Sequence, residues 1–316
     1  MKLKFRSSLF ATLALITALS SCKKDSEPAL SDEEVNSQIV VHANDESHAA
    51  LEIDQSVTDA TMYMDSNDDF AGNNLVLSYG ACDAEPEFDV ESDPMKITLT
   101  FTGDEQCTPN RKRTGKIIIT LPKGTAWRSA GAVATIKYED FKVVRLNDQK
   151  SVTVNGTQTY TNVSGGIVWD AYELQDSIVR TLTSSNMSIK SDSAEVRTWS
   201  IAKKYTSKYD NQTGCITKIT GTHTEGNTSN IAEWGVNRFG RAFTTTIDAP
   251  IVHNMECSKH ITGGTITHKT NIYTVTSTFG LNAEGVASGC PGYEENYYFR
   301  VQATAGNRTF DELIAY

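Results

Sequence analysis

Histidine and cysteine side chains gather in the last quarter of the chain, at His253, Cys257, His260 and His268. Zinc sites use these side chains, commonly in closely spaced pairs. A step of four residues, as from His253 to Cys257, brings two side chains to one face of a helix. The surrounding residues have the pattern of loop and strand, and Cys257 is also suited to a disulfide. We therefore expect no metal site here.

Two further patterns suggest chemistry only in part. Asp65, Asn67 and Asp69 imitate the start of a calcium loop, but Phe70 stands where a glycine is expected and no glutamate closes the loop. A polar helix terminus explains them better. The sequence has no Ser-His-Asp signature and no glycine-rich phosphate loop. Its many carboxylates have no spacing that singles out a glycosidase pair, so we expect no cofactor and no enzymatic activity.

Cys22 carries the clearest chemical signal. Lys2, Lys4 and Arg6 precede an apolar run from residue 9 to 19, and Ser20, Ser21 and Cys22 follow. This order is typical of a secretory signal, and the run is shorter than the ~20 residues that span a bilayer. Residues 19–22 resemble a lipobox, which implies cleavage before Cys22, lipidation of its thiol and acylation of its new amine.

The segments around Cys22 define the predicted organisation of the chain. Residues 1–21 form the signal peptide, and residues 22–32 form the lipidated cysteine with a polar, flexible tether. The expected location is the cell envelope, as an outer-membrane lipoprotein facing the periplasm or the cell surface. The membrane is then a partner through the N-terminal lipid.

Charge limits the remaining partners. Residues 1–21 carry three positive charges and no negative ones, so their removal from a chain of net charge −10 leaves about −13. Nucleic-acid binding needs a basic face, so we expect no nucleic-acid partner. Net acidity also argues against binding of anionic headgroups by the folded part, and by itself it indicates solubility.

Five cysteines remain after Cys22 is set aside, and an exported chain meets an oxidising compartment where disulfides form. Sequence alone does not fix their connectivity. Nearest-neighbour spacing suggests Cys82–Cys107 and Cys257–Cys290, which leaves Cys215 without an assigned role.

Hydrophobic periodicity predicts a mainly β fold. Residues 33–70 form the one helical segment, with apolar residues at mixed three- and four-residue steps. Residues 71–316 contain about a dozen Thr-, Val-, Ile- and Tyr-rich runs of period two, bounded by turn residues. Short connections favour antiparallel hairpins in sequence order, as a sandwich or a bent open sheet. Two subdomains, near 71–205 and 206–316, are an alternative to one domain. A run at 167–174 is among the predicted strands.

Several fragments in order resemble a known group. Arg111 to Thr120 follow Cys107, Val154-Asn155-Gly156 come later, and Cys257 precedes Ile261-Thr262-Gly263 and Cys290-Pro291-Gly292. The order resembles a family of uncharacterised β-rich lipoproteins of Bacteroidota, from which Cys215 and Gly292-Tyr293 depart. The resemblance implies pairing of Cys257 with Cys290, supports Cys82–Cys107, and implies no known activity. Asp176-Ser177 and Asp192-Ser193 also resemble the O-glycosylation motif of exported Bacteroidota proteins, which makes Ser177 and Ser193 candidate acceptors.

Two hypotheses about function follow. The first is a non-enzymatic, membrane-anchored scaffold or binding protein whose partner is an envelope protein or a glycan. The second is a glycan-acting hydrolase or carbohydrate-binding lipoprotein at the cell surface, since Trp127, Trp169, Trp199 and Trp234 could line a sugar-binding face. Tryptophan in sheets with one wet face more often serves cross-strand packing, so we favour the first hypothesis.

Overall fold

A computed structural model describes residues 31–72, 81–104, 111–167, 170, 176–211, 214–254, 257, 261–288 and 298–315. Two helices come first, α1 (Asp32–Ser66) and α2 (Asp68–Ala71). The strands of the first half are β1 (Ala84–Asp89), β2 (Met95–Thr102), β3 (Arg111–Leu121), β4 (Ala132–Arg145), β5 (Ser151–Asn162), β6 (Ser177–Ser191) and β7 (Arg197–Asp210). Those of the second half are β8 (Gly214–Gly221), β9 (His223–Glu225), β10 (Thr228–Val236), β11 (Ala242–Asn254), β12 (Ile261–Thr270), β13 (Thr274–Leu281), β14 (Tyr298–Ala305) and β15 (Arg308–Ala315).

Helix α1 begins at a capping box. The Ser31 hydroxyl accepts a hydrogen bond from the Glu34 amide, and the Glu34 carboxylate accepts one from the Ser31 amide. This reciprocal pair satisfies amides that have no partner within the helix. At the other end, Asn67 stops α1 and its side chain accepts from the Phe70 amide to begin α2. Of the helices described, none combines the length and apolar content needed to cross a membrane.

The strands form one antiparallel sheet. Neighbours along the sheet follow the chain from β1 to β7, continue with β10, and run on in order to β15. Strand β8 pairs with the C-terminal halves of β7 and β11, while β10 pairs with their N-terminal halves, so β8 and β10 share one position between them. Strand β1 is an edge strand and contains Pro86, a residue that central strands exclude.

Alternation along the strands separates an inner from an outer face. In β2 the side chains of Met95, Ile97, Leu99 and Phe101 are buried while the residues between them are at least partly exposed. The outer face of the sheet is thus wet, as the period-two pattern predicts.

The inner face of the sheet bends around α1. A large apolar cluster joins the helix from Ala49 to Met64 with side chains of β2 to β8 and β10, β11 and β13. A second cluster joins Val35, Ile39 and Ala43 to β13 and β14. Buried residues lie on most sides of α1, and one stripe that includes Val40, Leu51 and Thr58 is exposed. The helix is therefore a central element of the core.

The structure confirms the mainly β fold with one long N-terminal helix. It has a single bent sheet, and β7 crosses the boundary considered between residues 205 and 206. The prediction of a strand at 167–174 is wrong where it is described, because Ile167 and Asp170 lie outside any strand. The tether and signal peptide lie outside the described residues.

Two glycines mark β-bulges in long strands. Gly115 has a φ of +93° opposite a register shift in β4, and Gly156 has a φ of +130° at register shifts with β4 and β6. At Gly115 an added Cβ would lie 2.1 Å from the Asp140 carbonyl oxygen, so only glycine fits this crossing. Bulges of this kind bend and twist a sheet, which lets the long strands curve around α1.

Candidate functional site

Six carboxylates of α1 each contact a basic side chain, five on strands of the sheet and one, Arg238, in the turn between β10 and β11. They point in different directions around the helix, so ion pairs connect α1 to strands on several sides. The pairs are Asp45–Arg238, Glu46–Arg197, Glu52–Arg111, Asp54–Lys203, Asp59–Arg113 and Asp65–Arg180. Together with the apolar clusters, this set fixes the position of α1 within the sheet.

Lys203 of β7 is the centre of a buried polar cluster. Its Nζ lies 3.1 Å from the Asp54 carboxylate and 2.8 Å from Glu233 Oε1, and the Tyr205 hydroxyl donates to Asp54 at 2.6 Å. Burial disfavours the ammonium, but the two carboxylates outweigh it and raise the pKa of Lys203. A lysine held protonated has no lone pair for nucleophilic or base chemistry, so this cluster clamps α1 to the sheet.

Glu46 and Arg197 form a second enclosed pair. Arg197 Nη1 lies 2.9 Å from Glu46 Oε1, yet neither side chain makes a well-directed hydrogen bond within the described part of the chain. Burial raises the pKa of Glu46 to about 8, because Arg197 offsets only part of the lost solvation. Glu46 is thus a fully buried carboxyl group whose only cationic neighbour among the described ion pairs is Arg197.

Two histidines lie beside this pair. The His42 ring is edge-on to the His268 ring, with centroids 5.6 Å apart. Its Nδ1 is 3.2 Å from the Asn237 amide nitrogen, and His268 Nδ1 is 2.6 Å from the Thr245 hydroxyl. Burial lowers the pKa of His42 to about 2 and that of His268 to about 4. Both rings are neutral near neutral pH and act as polar packing groups.

The sequence cluster of histidines and Cys257 does not assemble into one site. His268 is enclosed on β12, His253 lies at the far end of β11 opposite Ile261, and His260 is outside the described residues. Cys257 is buried and disulfide-bonded. Among the residues described, no three His, Cys, Asp or Glu side chains converge as metal ligands.

The partial calcium pattern is used for helix ends. Asp65 pairs with Arg180, Asn67 caps α2, and Asp69 is exposed in the first turn of α2. This arrangement confirms the interpretation as a polar helix terminus.

The state of the cysteines in the structure contradicts one predicted disulfide. Cys82 is exposed and carries a free thiol, so the structure does not contain the predicted Cys82–Cys107 link. The thiol of Cys215 is also free, and burial raises its pKa. Cys22, Cys107 and Cys290 lie outside the described residues, so the Cys257–Cys290 pairing stays a prediction.

The tryptophans do not line one face. Trp127 and Trp199 are fully buried in the main apolar cluster, and Trp127 packs against Tyr160 with centroids 5.2 Å apart. Trp234 is partly exposed and stacks on His223 at 4.3 Å, while Trp169 is outside the described residues. The sugar-binding face considered from the sequence is therefore not formed by Trp127 and Trp199.

The two candidate acceptor serines differ in accessibility. Ser193 is exposed in the turn between β6 and β7, where Asp192 accepts a hydrogen bond from the Ser151 amide. Ser177 is partly buried at the start of β6. Ser193 is thus the better placed of the two for modification.

Sequence reasoning missed the ion-paired interior. The sequence does not distinguish Glu46, Asp54 and Glu233 from surface charges. Lys203, however, alternates in step with the inward-facing Ile201 and Tyr205 of the same strand. This alternation is the sequence signal that could have identified the buried ion pairs, because charged residues at inward positions need partners of opposite charge.

Comparison with known proteins identifies no relative: no family model, no curated protein and no solved structure matches the chain.

The polar clusters described above are enclosed between α1 and the sheet. Their geometry supports a mechanical role, the fixing of α1, and the outer face remains as the surface for contact with other molecules.

Proposed function

We propose that this protein is a membrane-anchored envelope lipoprotein that acts as a non-enzymatic binding scaffold. One observation carries the proposal: α1, the first element described after Cys22, is built into the core of the sheet. Its N-cap Ser31 is nine residues after Cys22, a distance that spans at most ~30 Å when fully extended.

The contacts that hold α1 in the sheet make this helix a suitable point of attachment between the membrane anchor and the domain. Six ion pairs and two apolar clusters tie it to strands from β2 to β14. A force applied at Cys22 is therefore transmitted to the complete domain. The proposed lipidation of Cys22 is based on the succession of basic, apolar and small residues that precedes it. Several acyl chains hold a protein durably on a membrane, whereas a single chain gives only marginal attachment.

The proposal also accounts for the outer face. The outer face of the sheet presents polar side chains, while six carboxylates and most apolar side chains of α1 are turned inward. The resemblance to Bacteroidota lipoproteins supports the same assignment. The competing hypothesis of a glycan hydrolase has lost part of its basis, since two of its four tryptophans are fully buried.

Turnover measurements test the proposal. The purified chain is incubated with neutral and acidic envelope polysaccharides, and new reducing ends are measured beside a Glu233→Gln variant. We expect no product from either protein and retention of a polysaccharide or envelope protein by both. Product released by the wild-type chain and lost on replacing one specific carboxylate would show that the protein is an enzyme.

A further inference from the structure

The outer surface of β7 and β8 carries three lysines that make no ion pair with any described residue. Lys204 and Lys208 alternate with Thr206 along β7, and Lys218 lies on β8 beside Thr220. All three lysines are exposed. These five residues are called the lysine patch below.

Strand register fixes the spacing of the patch. Lys204 is opposite Thr220, Thr206 is opposite Lys218, and Lys208 is opposite Ile216. Lys218 is thus the diagonal neighbour of both other lysines, and diagonal neighbours in a sheet are about 7–8 Å apart. Three ammonium groups share a small area without an intervening carboxylate on these strands.

The neighbouring strand β6 places hydroxyl-bearing residues opposite two of the three lysines. Thr181 of β6 lies opposite Lys204, and Thr161 of β5 lies opposite Thr181. The residue opposite Lys208 is Ser177, whose amide donates to the preceding Asp176 carboxylate at 2.7 Å. The three ammonium groups repel one another, so an anionic ligand that neutralised the lysines would remove this repulsion.

We propose that the lysine patch binds an acidic polysaccharide. Charge complementarity selects an anion, and three separate charges on a flat face select a polymer that carries repeated negative groups. Threonine hydroxyls both donate and accept hydrogen bonds, which suits the hydroxyls of a sugar chain between its acidic groups.

The composition of the patch disfavours other polyanions and protein partners. Single-stranded nucleic acids are held by aromatic side chains on which the bases stack, and the patch has none. Protein interfaces centre on aromatic, methionine or arginine anchors, which are also missing from these five residues.

Position within the fold disfavours the lipids of the anchoring membrane. Lys203, next to Lys204, contacts Asp54 of α1, which is 22 residues beyond the start of the helix at Asp32. At 1.5 Å per residue, this places the patch ~30 Å along the helix axis from the end that follows Cys22. This step rests on the proposed anchoring, whereas binding at the patch itself does not.

Polygalacturonate is the probe for the experiment, with uncharged dextran and phosphatidylglycerol vesicles beside it. Titration calorimetry compares the full wild-type chain with the triple variant K204Q/K208Q/K218Q. The matched control, K96Q/K123Q/K269Q, makes the same change in net charge elsewhere on the surface. We expect the patch variant to lose tenfold or more in affinity for polygalacturonate and the control to lose less than threefold.

Salt provides an independent measure. If three ammonium groups neutralise the polymer, raising salt from ~50 to ~200 mM should weaken binding by roughly tenfold or more through counterion release. A single K218E reversal, checked by its thermal melt, repeats the test with one substitution. Its expected loss is fivefold or more.

Other outcomes overturn the proposal. These are absence of polygalacturonate binding, equal binding by the patch variant and the control, equal affinity for dextran, or binding of vesicles in preference to the polysaccharide. The Cys22→Ala chain should bind polygalacturonate like the wild type, so a failure of lipidation and a failure of the patch are separate results.

Discussion

Lys203 and Lys204 are consecutive residues of β7 in opposite surroundings. Lys203 faces α1 between two carboxylates, and Lys204 faces solvent. Because side chains alternate between the two faces of a strand, Lys203 stabilises the contact with α1 while Lys204 is exposed to solvent.

Replacement of Lys203 by methionine should destabilise the protein strongly. It leaves the carboxylates of Asp54 and Glu233 buried without their cation, and breaking such a buried pair typically costs about 3–5 kcal/mol. The free energy of unfolding, measured by urea titration at neutral pH, is expected to fall by that amount.

Lys204→Met is the matched control, because the same change in the next residue affects only an exposed side chain. Its expected effect is within about 0.5 kcal/mol. Equal losses in the two variants would contradict the clamp assigned to Lys203.

The buried histidines predict a loss of stability in acid. Burial lowers the pKa of His268 from 6.5 to about 4, so between these pH values the unfolded chain binds a proton that the folded chain does not. The free energy of unfolding should therefore fall as pH drops from about 6.5 to about 4, by up to ~3 kcal/mol from this residue. Urea titrations across this range measure the fall.

Removing the titrating group should flatten this dependence. His268→Asn is expected to give a smaller fall between pH 6.5 and 4, while His223→Asn, at a partly exposed position on β9, retains the wild-type fall because His268 is still present. An unchanged pH dependence in His268→Asn would refute the assignment.

At the scale of elements, α1 shows what could be predicted from the sequence and what could not. Its extent was predictable, because the apolar steps and the polar stop near Asn67 are local features. Its burial was not, since Asp45, Glu46 and Asp54 look like a solvated face until basic residues of distant strands meet them. Those contacts depend on a strand order that the sequence does not state.

Some strands could likewise be predicted from the sequence and others could not. Central strands with clean alternation, such as β2 and β6, were predictable from period two. Strands β1, β10 and β15 lack clean alternation: Pro86 and charged residues mask the pattern at the edges, and β10 has Ile231, Ala232 and Glu233 buried in succession. Local sequence therefore described the interior of the sheet better than its edges and its irregular strand.

Gly115 should be intolerant of a side chain. Gly115→Ala meets both a φ of +93° and the Asp140 carbonyl oxygen, whereas Gly131→Ala meets a φ of +79° with no atom within 4 Å of the added Cβ. Positive φ alone costs an alanine roughly 1–2 kcal/mol, so the Gly115 variant should lose more than the Gly131 variant by at least ~1 kcal/mol. Thermal and urea unfolding of both variants measure this difference, and equal losses would argue against a tight crossing at the bulge.

At the scale of the whole molecule, charge is separated between inside and outside. Six acidic groups of α1 pair with basic side chains, and Lys204, Lys208 and Lys218 face outward without an ion pair to any described residue. Net charge of the chain therefore does not describe the local distribution of charge, since a basic patch lies on the surface of an acidic chain.

The central claim is that the domain is carried on a membrane through Cys22. Growth of the source organism or a bacterial host with labelled palmitate, followed by fractionation, compares the wild type with Cys22→Ala. The account predicts label and membrane association for the wild type, and neither for Cys22→Ala, with a folded domain in both. Fatty-acid label and membrane association that persist in Cys22→Ala would contradict it.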